Sequence, residues 1–462
     1  MEDNKEKLVD EILDLRSQNK TLRKENEDLQ KELDQRKSKQ PLEKQKPHFS
    51  QATLKKRSKP PHLWGRKKGH PGSWRPVPDH IDITIEQELT ACPDCHHPLG
   101  NPLGVQHHLQ EDIVPARREV TLFRHHRYWC PSCRKIMTAP PAPNEIPHGH
   151  LGPRTLATML WLKYHAALPG NKIKDILYDL CGISVSEGAI AQALQRLGNY
   201  LHIENNHILQ AIKEASHKHV DETGWKINGA CSWLWTFVNS QWAFFHIDKS
   251  RGGKIPKEFL GVPHQGTVSS DFYSAYNGLI GNKQKCLVHL RREIHDARKA
   301  FPPGESPPPD FQEPDKKLRR LLDDAIRLSD RRNTLSPMLV VRRIRRLKER
   351  LTCFAFHTYS HPFWQRISHR LARHQKAIFT FLDIPEVPPD NNAAERAIRP
   401  HVIIRNRSFQ NRTDKGALAH SRLTSLLHTL RLQKQDVVSA IATAYPLRRQ
   451  GIKTPVIFSS AA

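Results

Sequence analysis

Apolar residues recur every seven positions at the start of the chain. Leu8, Leu15, Leu22 and Leu29 share one heptad position, Ile12 and Leu33 fall on the alternate one, and charged residues fill the flanks. This period predicts a leucine-zipper coiled coil over residues 1–35. Asn19 and Asn26 take the remaining core positions, where a buried Asn favours a parallel two-stranded coil. The pattern then stops. From Arg36 to Lys68 the chain accumulates Lys, Arg, Gln, Ser and Pro with a single acid, Glu43. Such a stretch cannot bury a core, and 36–80 is expected to be a disordered basic linker.

Further on the period alternates between 2 and 3.6. Val120 to Trp129, rich in Val, Leu, Phe, Tyr and Trp, reads as strand, and 151–213 reads as helices. Gly182 to Ile190 resembles the turn and second-helix start of a helix-turn-helix, with a Ser cap and an apolar helix through Leu197; ordinary helical hairpins share that pattern. After Ser216 strands return. His217 to Val220 leads into Asp221-Glu222, Trp233 to Val238 and Trp242 to Ile247 form a hairpin joined at Asn239-Ser240, and Thr267 to Ser270 ends on Asp271. A Pro-rich break from Phe301 to Pro308 precedes helices at about Asp315–Asp330, Pro337–Phe356 and Phe363–Leu382. Pro389 to Pro400 reads as a turn feeding a short helix, followed by a helix from Ala417 to Leu432. Beyond Gln435 no pattern emerges.

Composition narrows the partners. The 462 residues suffice for about three domains. Lys plus Arg is 73 against 47 acids, a formal charge of +26 with a pI near 9.9. That balance favours a polyanion, because phosphate binding releases counterions. No basic amphipathic membrane helix, lipidation signal, membrane-length apolar run or signal-peptide core is present, so a cytosolic protein is expected. Eight cysteines in such a chain point to metal ligands or buried thiols. Cys92-Pro-Asp-Cys95 and Cys130-Pro-Ser-Cys133 have the spacing of a zinc ribbon, since a two-residue spacer lets one turn offer two thiolates to one tetrahedral ion. The site is closed and therefore structural. Arg117, Arg118, Arg124, His125, His126 and Arg127 make the segment between the knuckles a DNA-contacting candidate.

The acids admit two accounts each. Asp221, or its neighbour Glu222, and Asp271 stand where strands are expected to end, positions that suit a metal site or plain turn formation. Glu395 stands among arginines in Pro389–Pro400. With Asn392 as N-cap it could reach back to the cap amide and pair with Arg399, or it could be the last ligand of a metal site acting on a phosphate backbone. Cys286 and His289 lack two further metal partners and read as a buried thiol and a hydrogen-bonded His beside the sheet.

Taken together the chain resembles the bacterial insertion-sequence-sixty-six family of transposases. The resemblance rests on His219-Val220-Asp221-Glu222-Thr223-Gly224-Trp225, Ser270-Asp271-Phe272-Tyr273-Ser274-Ala275-Tyr276, Cys286-Leu287-Val288-His289-Leu290-Arg291-Arg292 and the run Asp390 to Pro400. Phe272 departs from a frequent Gly, and Leu287-Val288 from a more usual aromatic pair. The resemblance implies a multidomain α/β protein. Its parts would be the coiled coil, a zinc ribbon over 81–145, a helical segment over 146–212, and an RNase H-like catalytic domain over 213–300 and 387–432. A helical insertion at 301–386 would interrupt that domain, and 433–462 would be a tail.

It also implies an Asp-Asp-Glu triad of Asp221, Asp271 and Glu395, choosing Asp221 over Glu222. Two Mg²⁺ or Mn²⁺ ions would serve cleavage at terminal inverted repeats and joining of the freed 3′ ends to target DNA. One Zn²⁺ would sit on Cys92, Cys95, Cys130 and Cys133. Arg396 and Arg399 would steady the phosphate backbone, and Arg124 and Arg127 would contact DNA from the ribbon. The implied partners are element ends and target DNA, a second copy in a dimer or larger synaptic assembly, and accessory proteins of the same element. No membrane is among them. The alternatives are a DNA-binding repressor with a dead catalytic domain and an RNase H-like nuclease that cuts without joining.

Overall fold

The computed structural model describes residues 80–101, 108–111, 114, 116–302, 306–408, 410–453 and 456–458. The expected coiled coil, and the linker as far as residue 79, lie outside the described residues. The chain divides into two compact units, residues 1–109 and 110–462.

In the first unit the described segment folds around the Cys92 knuckle. Cys92 N–H donates to the His97 carbonyl and His96 N–H to the Cys92 carbonyl, each at 2.9 Å, and Ala91 bridges Pro98.

The second unit begins with a small hairpin, β1 (Arg127–Cys130) and β2 (Lys135–Thr138), paired from Arg127↔Thr138 to Cys130↔Lys135. The expected strand Val120–Trp129 is therefore corrected. Only its last residues are extended in a sheet, and their partner follows the Cys130 knuckle. The tight Cys130–Arg134 turn, with Arg134 at φ 48°, closes the hairpin, while Val120 and Leu122 stay exposed without a strand partner.

Four helices follow: α1 (Pro153–Tyr164), α2 (Gly170–Cys181), α3 (Glu187–Tyr200) and α4 (His202–Glu214). Gly182 (φ 65°) ends α2 in a left-handed cap, and Ser186 Oγ accepts from Ala189 N–H to start α3. The sheet then runs β3 (His217–Ile227), β4 (Ala230–Val238), β5 (Ala243–Asp248), helix α5 (Lys254–Leu260), β6 (Thr267–Ser270) and β7 (Asn282–Lys285). Strand order is β5-β4-β3-β6-β7; β3, β4 and β5 pair antiparallel, whereas β3–β6 and β6–β7 are parallel.

Asp221 does not end its strand. β3 leaves β6 after the pair His219↔Ser269 but runs on with β4 to Ile227, because Asn228 (φ 49°) and Gly229 (φ 80°) supply the tight turn that a right-twisted hairpin prefers.

Beyond β7 come α6 (Leu287–Lys299), α7 (Pro309–Arg331), α8 (Pro337–Ala355), α9 (Pro362–Arg373) and the short α10 (Thr380–Asp383). Their core is separate from that of the sheet and centres on Leu290, Phe311, Leu322, Trp364, Ile367 and Phe381. The single helix expected over Phe363–Leu382 breaks after Arg373. The segment that follows is tied to the edge strand β7: Gln284 Nε2 donates to the Ile378 carbonyl and Gln284 Oε1 accepts from Phe381 N–H, both at 3.0 Å.

α11 (Asn392–Ser408), α12 (Asp414–Leu432) and α13 (Val437–Arg449) complete the fold. α11 is a 17-residue helix, longer than expected. The tail expected at 433–462 contains α13, capped by Asp436 and anchored through fully buried Ile441. Along α12, Ser421, Ser425 and Thr429 accept from the N–H groups of Ile247, Phe245 and Ala243 at 3.2, 2.8 and 3.1 Å. Four helical residues rise about 6 Å and two strand residues about 6.7 Å, so an i, i+4, i+8 hydroxyl row can satisfy alternate amides of the edge strand β5. Both sheet edges are thereby covered.

Candidate active site

Asp221 lies two residues beyond His219 on β3, and Asp271 two residues beyond Ser269 on β6, from a pair that is in parallel register. Even spacing carries both side chains to the face of that pair. Glu395 sits in the first turn of α11, whose start is held against β3. Asn391, fully buried, accepts from His219 Nδ1–H at 3.0 Å, donates through Nδ2 to the Val220 carbonyl at 2.8 Å, and gives its backbone N–H to Cys286 Sγ at 3.2 Å. Glu395 N–H donates to the Asn391 carbonyl at 3.3 Å, so Asn391, not Asn392, precedes the helix. The capping box expected around Glu395 does not form. Its Oε1 is buried without a hydrogen-bond partner, and the basic side chains nearest its carboxylate are His289, with Nε2 at 3.6 Å, and Arg292, with Nη2 at 3.7 Å, on α6, not Arg399. His289 is corrected with it: its Nδ1 makes no hydrogen bond and its other nitrogen faces Glu395.

The two adjacent acids of β3 differ in their surroundings. Glu222 is clamped: Arg251 donates through Nη2 at 2.9 Å and Nε at 3.2 Å, and the Tyr276 hydroxyl donates to its other oxygen. Arg251 is itself sandwiched between the rings of Trp233 and Tyr273, 4.2 Å from each centroid. Asp221 has no such counter-charge; its Oδ1 accepts from Glu222 N–H at 2.9 Å. Burial pushes its carboxyl well above the usual range, and the negative charges of Glu222, Asp271 and Glu395 push it the same way. Asp271 Oδ1 accepts from Tyr273 N–H at 2.9 Å in a local turn. Beneath it the buried Lys285 donates to the Asp271 carbonyl at 2.7 Å and to Ser270 Oγ at 3.0 Å; burial lowers its pKa to about 8.

Asp221, Asp271 and Glu395 thus gather at one end of the sheet. Among the described residues no three His, Cys, Asp or Glu side chains close into a ready-made metal cage. The donor set still suits a hard divalent cation. It is all carboxylate oxygen, it is short of positive charge at Asp221, and it includes the unpartnered Glu395 Oε1. The arginines behave variously. Arg396 and Arg399 are exposed beside Glu395 and free of ion pairs among the described residues, whereas Arg405 is spent on the fold, donating to the Gly224 carbonyl and Thr223 Oγ1. Arg124 and Arg127 are exposed before and on β1.

At each cysteine knuckle the first thiol is held below its usual range, Cys92 chiefly by the backbone N–H of Cys95 and Cys130 chiefly by that of Cys133. Groups that favour thiolate fit zinc ligation. Cys133 N–H lies 3.4 Å from Cys130 Sγ.

A sequence profile described as the transposase IS66 family matches residues 148–419. The chain belongs to that family. A second profile, the zinc-finger binding domain of transposase IS66, matches residues 90–134 and takes in all four knuckle cysteines. Two curated relatives come from Sinorhizobium fredii (strain NBRC 101917 / NGR234). The uncharacterized protein y4qI is 24% identical over 404 residues, covering 81% of this chain and 73% of its own, and the uncharacterized protein y4hP is 24% identical over 404 residues, covering 78% and 71%. Membership assigns a transposase role and DNA as partner. Among the described residues no helix is long and apolar enough to cross a membrane. Asn391, Lys285, Arg251 and His289 support the acids of this IS66-family domain. Of these, His289 and Asn391 stood in motifs that the sequence singled out, whereas Lys285 and Arg251 did not.

Proposed function

We propose that this IS66-family protein cleaves DNA at the ends of its element and joins the freed 3′ ends to target DNA, with Asp221, Asp271 and Glu395 as the metal-binding acids. The observation that carries the reading is the contrast on β3: Glu222 is held by Arg251 and Tyr276, while Asp221 has no cation of its own and is pushed up by burial and by the charges of Glu222, Asp271 and Glu395. The sheet order β5-β4-β3-β6-β7, with the third acid arriving on a helix after an inserted helical core, supports an RNase H-like catalytic domain. Two divalent cations, when bound, would polarise the phosphoryl oxygens and lower the pKa of the attacking water or 3′ hydroxyl. The residues do the rest. Asn391 fixes the distance between α11 and β3, Lys285 fixes the turn that presents Asp271, and Arg396 and Arg399 lie open to the DNA backbone beside Glu395.

Cys92, Cys95, Cys130 and Cys133 hold one structural zinc in this reading, supported by the thiolate-favouring knuckles and the matching zinc-finger profile. Arg124 and Arg127 on that ribbon contact the terminal inverted repeats. The heptads of residues 1–35 pair two copies in a synaptic assembly, and accessory proteins of the same element join it. Purified protein, labelled element ends, target plasmid and Mg²⁺ provide the test. Wild type gives joined product, and Asp221→Asn reduces it at least 10³-fold. Cleavage without joining would favour the nuclease, end binding without cleavage the repressor, and joining by Asp221→Asn would remove Asp221 from the triad.

A further inference from the structure

A cleft of about 540 Å³ opens directly from Asp271 between α6 and α9. Its walls combine two features. Phe272 and Phe363 offer aromatic faces, and each is overlaid by a guanidinium: Arg366 lies 5.4 Å from the Phe363 centroid and Arg370 5.4 Å from that of Phe272. Glu293 holds both guanidiniums in place, accepting from Arg366 at 3.1 Å and from Arg370. Arg292, on the rim, stands 3.7 Å from Glu395 and remains half exposed. The floor is therefore preordered, and the half-exposed Arg292, paired with Glu395, brings positive charge to the end next to the acids, while Glu293 and Asp296 line the cleft farther along.

We propose that this cleft receives one unstacked nucleotide adjacent to the bond being cut, its base on the guanidinium planes of Arg366 and Arg370 that back onto Phe363 and Phe272, and its phosphate toward Arg292. The inference rests on the transposase reading and deepens it, giving the inserted helices a substrate contact. The volume is right for a single nucleotide and far too small for a duplex. Aromatic and arginine planes hold any base without selecting among sequences, and such stacking is worth about fivefold to 150-fold in affinity for each base. Unstacking costs least where pairing is already weakened, as it is at the end of an element undergoing cleavage. Continuity with Asp271 ties the ligand to the DNA being processed and not to a free nucleotide.

The test places 2-aminopurine, in turn, at each position flanking the scissile bond of an element end. Fluorescence is read in complexes of full-length protein with Ca²⁺. One position should brighten several-fold with wild type. Phe363→Leu, which keeps an apolar side chain in the helical core, should abolish most of the gain and weaken end binding about 10-fold. Arg366→Gln, a change at an exposed side chain, is the second variant and should act in the same direction without lowering the melting temperature. If wild type cleaves the ends in Mg²⁺ yet no position brightens, the subsite is overturned and the transposase reading stands. Brightening that survives both variants puts the base elsewhere and also overturns it. Failure of wild type to cleave any end sinks the underlying reading, and the subsite with it.

Discussion

Asn391→Ala is the sharpest probe of how this fold builds its site. The side chain is fully buried and makes two hydrogen bonds, at 3.0 Å with His219 and 2.8 Å with the Val220 carbonyl, one residue before Asp221. Truncation leaves a carbonyl and a ring N–H without partners in the interior, about 1–3 kcal/mol for each orphan and so about 2–6 kcal/mol in total. For the unit of residues 110–462 that corresponds to a fall in apparent melting temperature of about 3–8 °C. Stability is only half of the expectation. The same side chain sets the distance between β3 and the start of α11, four residues before Glu395, and a displacement of about 1 Å in a reacting constellation costs about 100-fold in rate. Strand joining at 25 °C, well below the melt, should therefore fall by about two orders of magnitude. Ser425→Ala is the control: it orphans the Phe245 amide on the far edge of the sheet and destabilises, yet leaves joining intact. A melting shift under 2 °C, or a destabilised Asn391→Ala that joins strands like wild type, would refute the tie between this clamp and Glu395.

Other outcomes follow from particular contacts. In Ser425→Ala the loss is about 1–3 kcal/mol, and amide hydrogen exchange should quicken at Phe245 more than at β3. Acid should destabilise the protein through its buried histidines. His401 Nδ1 and His420 Nε2 lie 3.0 Å apart, and burial holds His401 well below its usual pKa and His420 down at about 3. The unfolded chain therefore takes up protons that the fold refuses between about pH 6.5 and 3, so stability is full above that window and declines through it. Melting temperature measured from pH 7.5 to 4.5 checks this, and His420→Gln should flatten the slope. Metal analysis should find one zinc per chain, lost in Cys92→Ser and in Cys130→Ser; wild-type protein purified without zinc and folded normally would contradict the ribbon.

The motifs were legible because catalytic chemistry concentrates in short runs. Asp221, Asp271 and Glu395 each stand in a stretch whose pattern broke from its neighbours, and the strands at Trp233–Val238 and Thr267–Ser270 follow directly from their apolar runs. What the sequence concealed depends on pairing at long range. Whether Asp221 or Glu222 is left uncompensated turns on Arg251, 29 residues away, and on Tyr276, 54 away. The identity of the residue before α11 turns on His219, 172 residues upstream. Local propensity favours Asn392 as cap because it sees only the Glu three residues on, whereas the fold uses Asn391 as a bridge to another strand. β7 is hidden in the sequence for a related reason: Asn-Lys-Gln-Lys reads as polar loop, and it becomes a strand because Gln284 and Lys285 turn inward to satisfy the chain beyond α9 and the carbonyl of Asp271. Asn228-Gly229 is the one local signal that could have been used. It marks a hairpin turn, and it requires β3 to continue past Asp221. That places the acid in a strand braced along one edge by β4 but free of β6 on the other, a position that keeps its backbone fixed while its side chain faces the opening where Asp271 and Glu395 arrive.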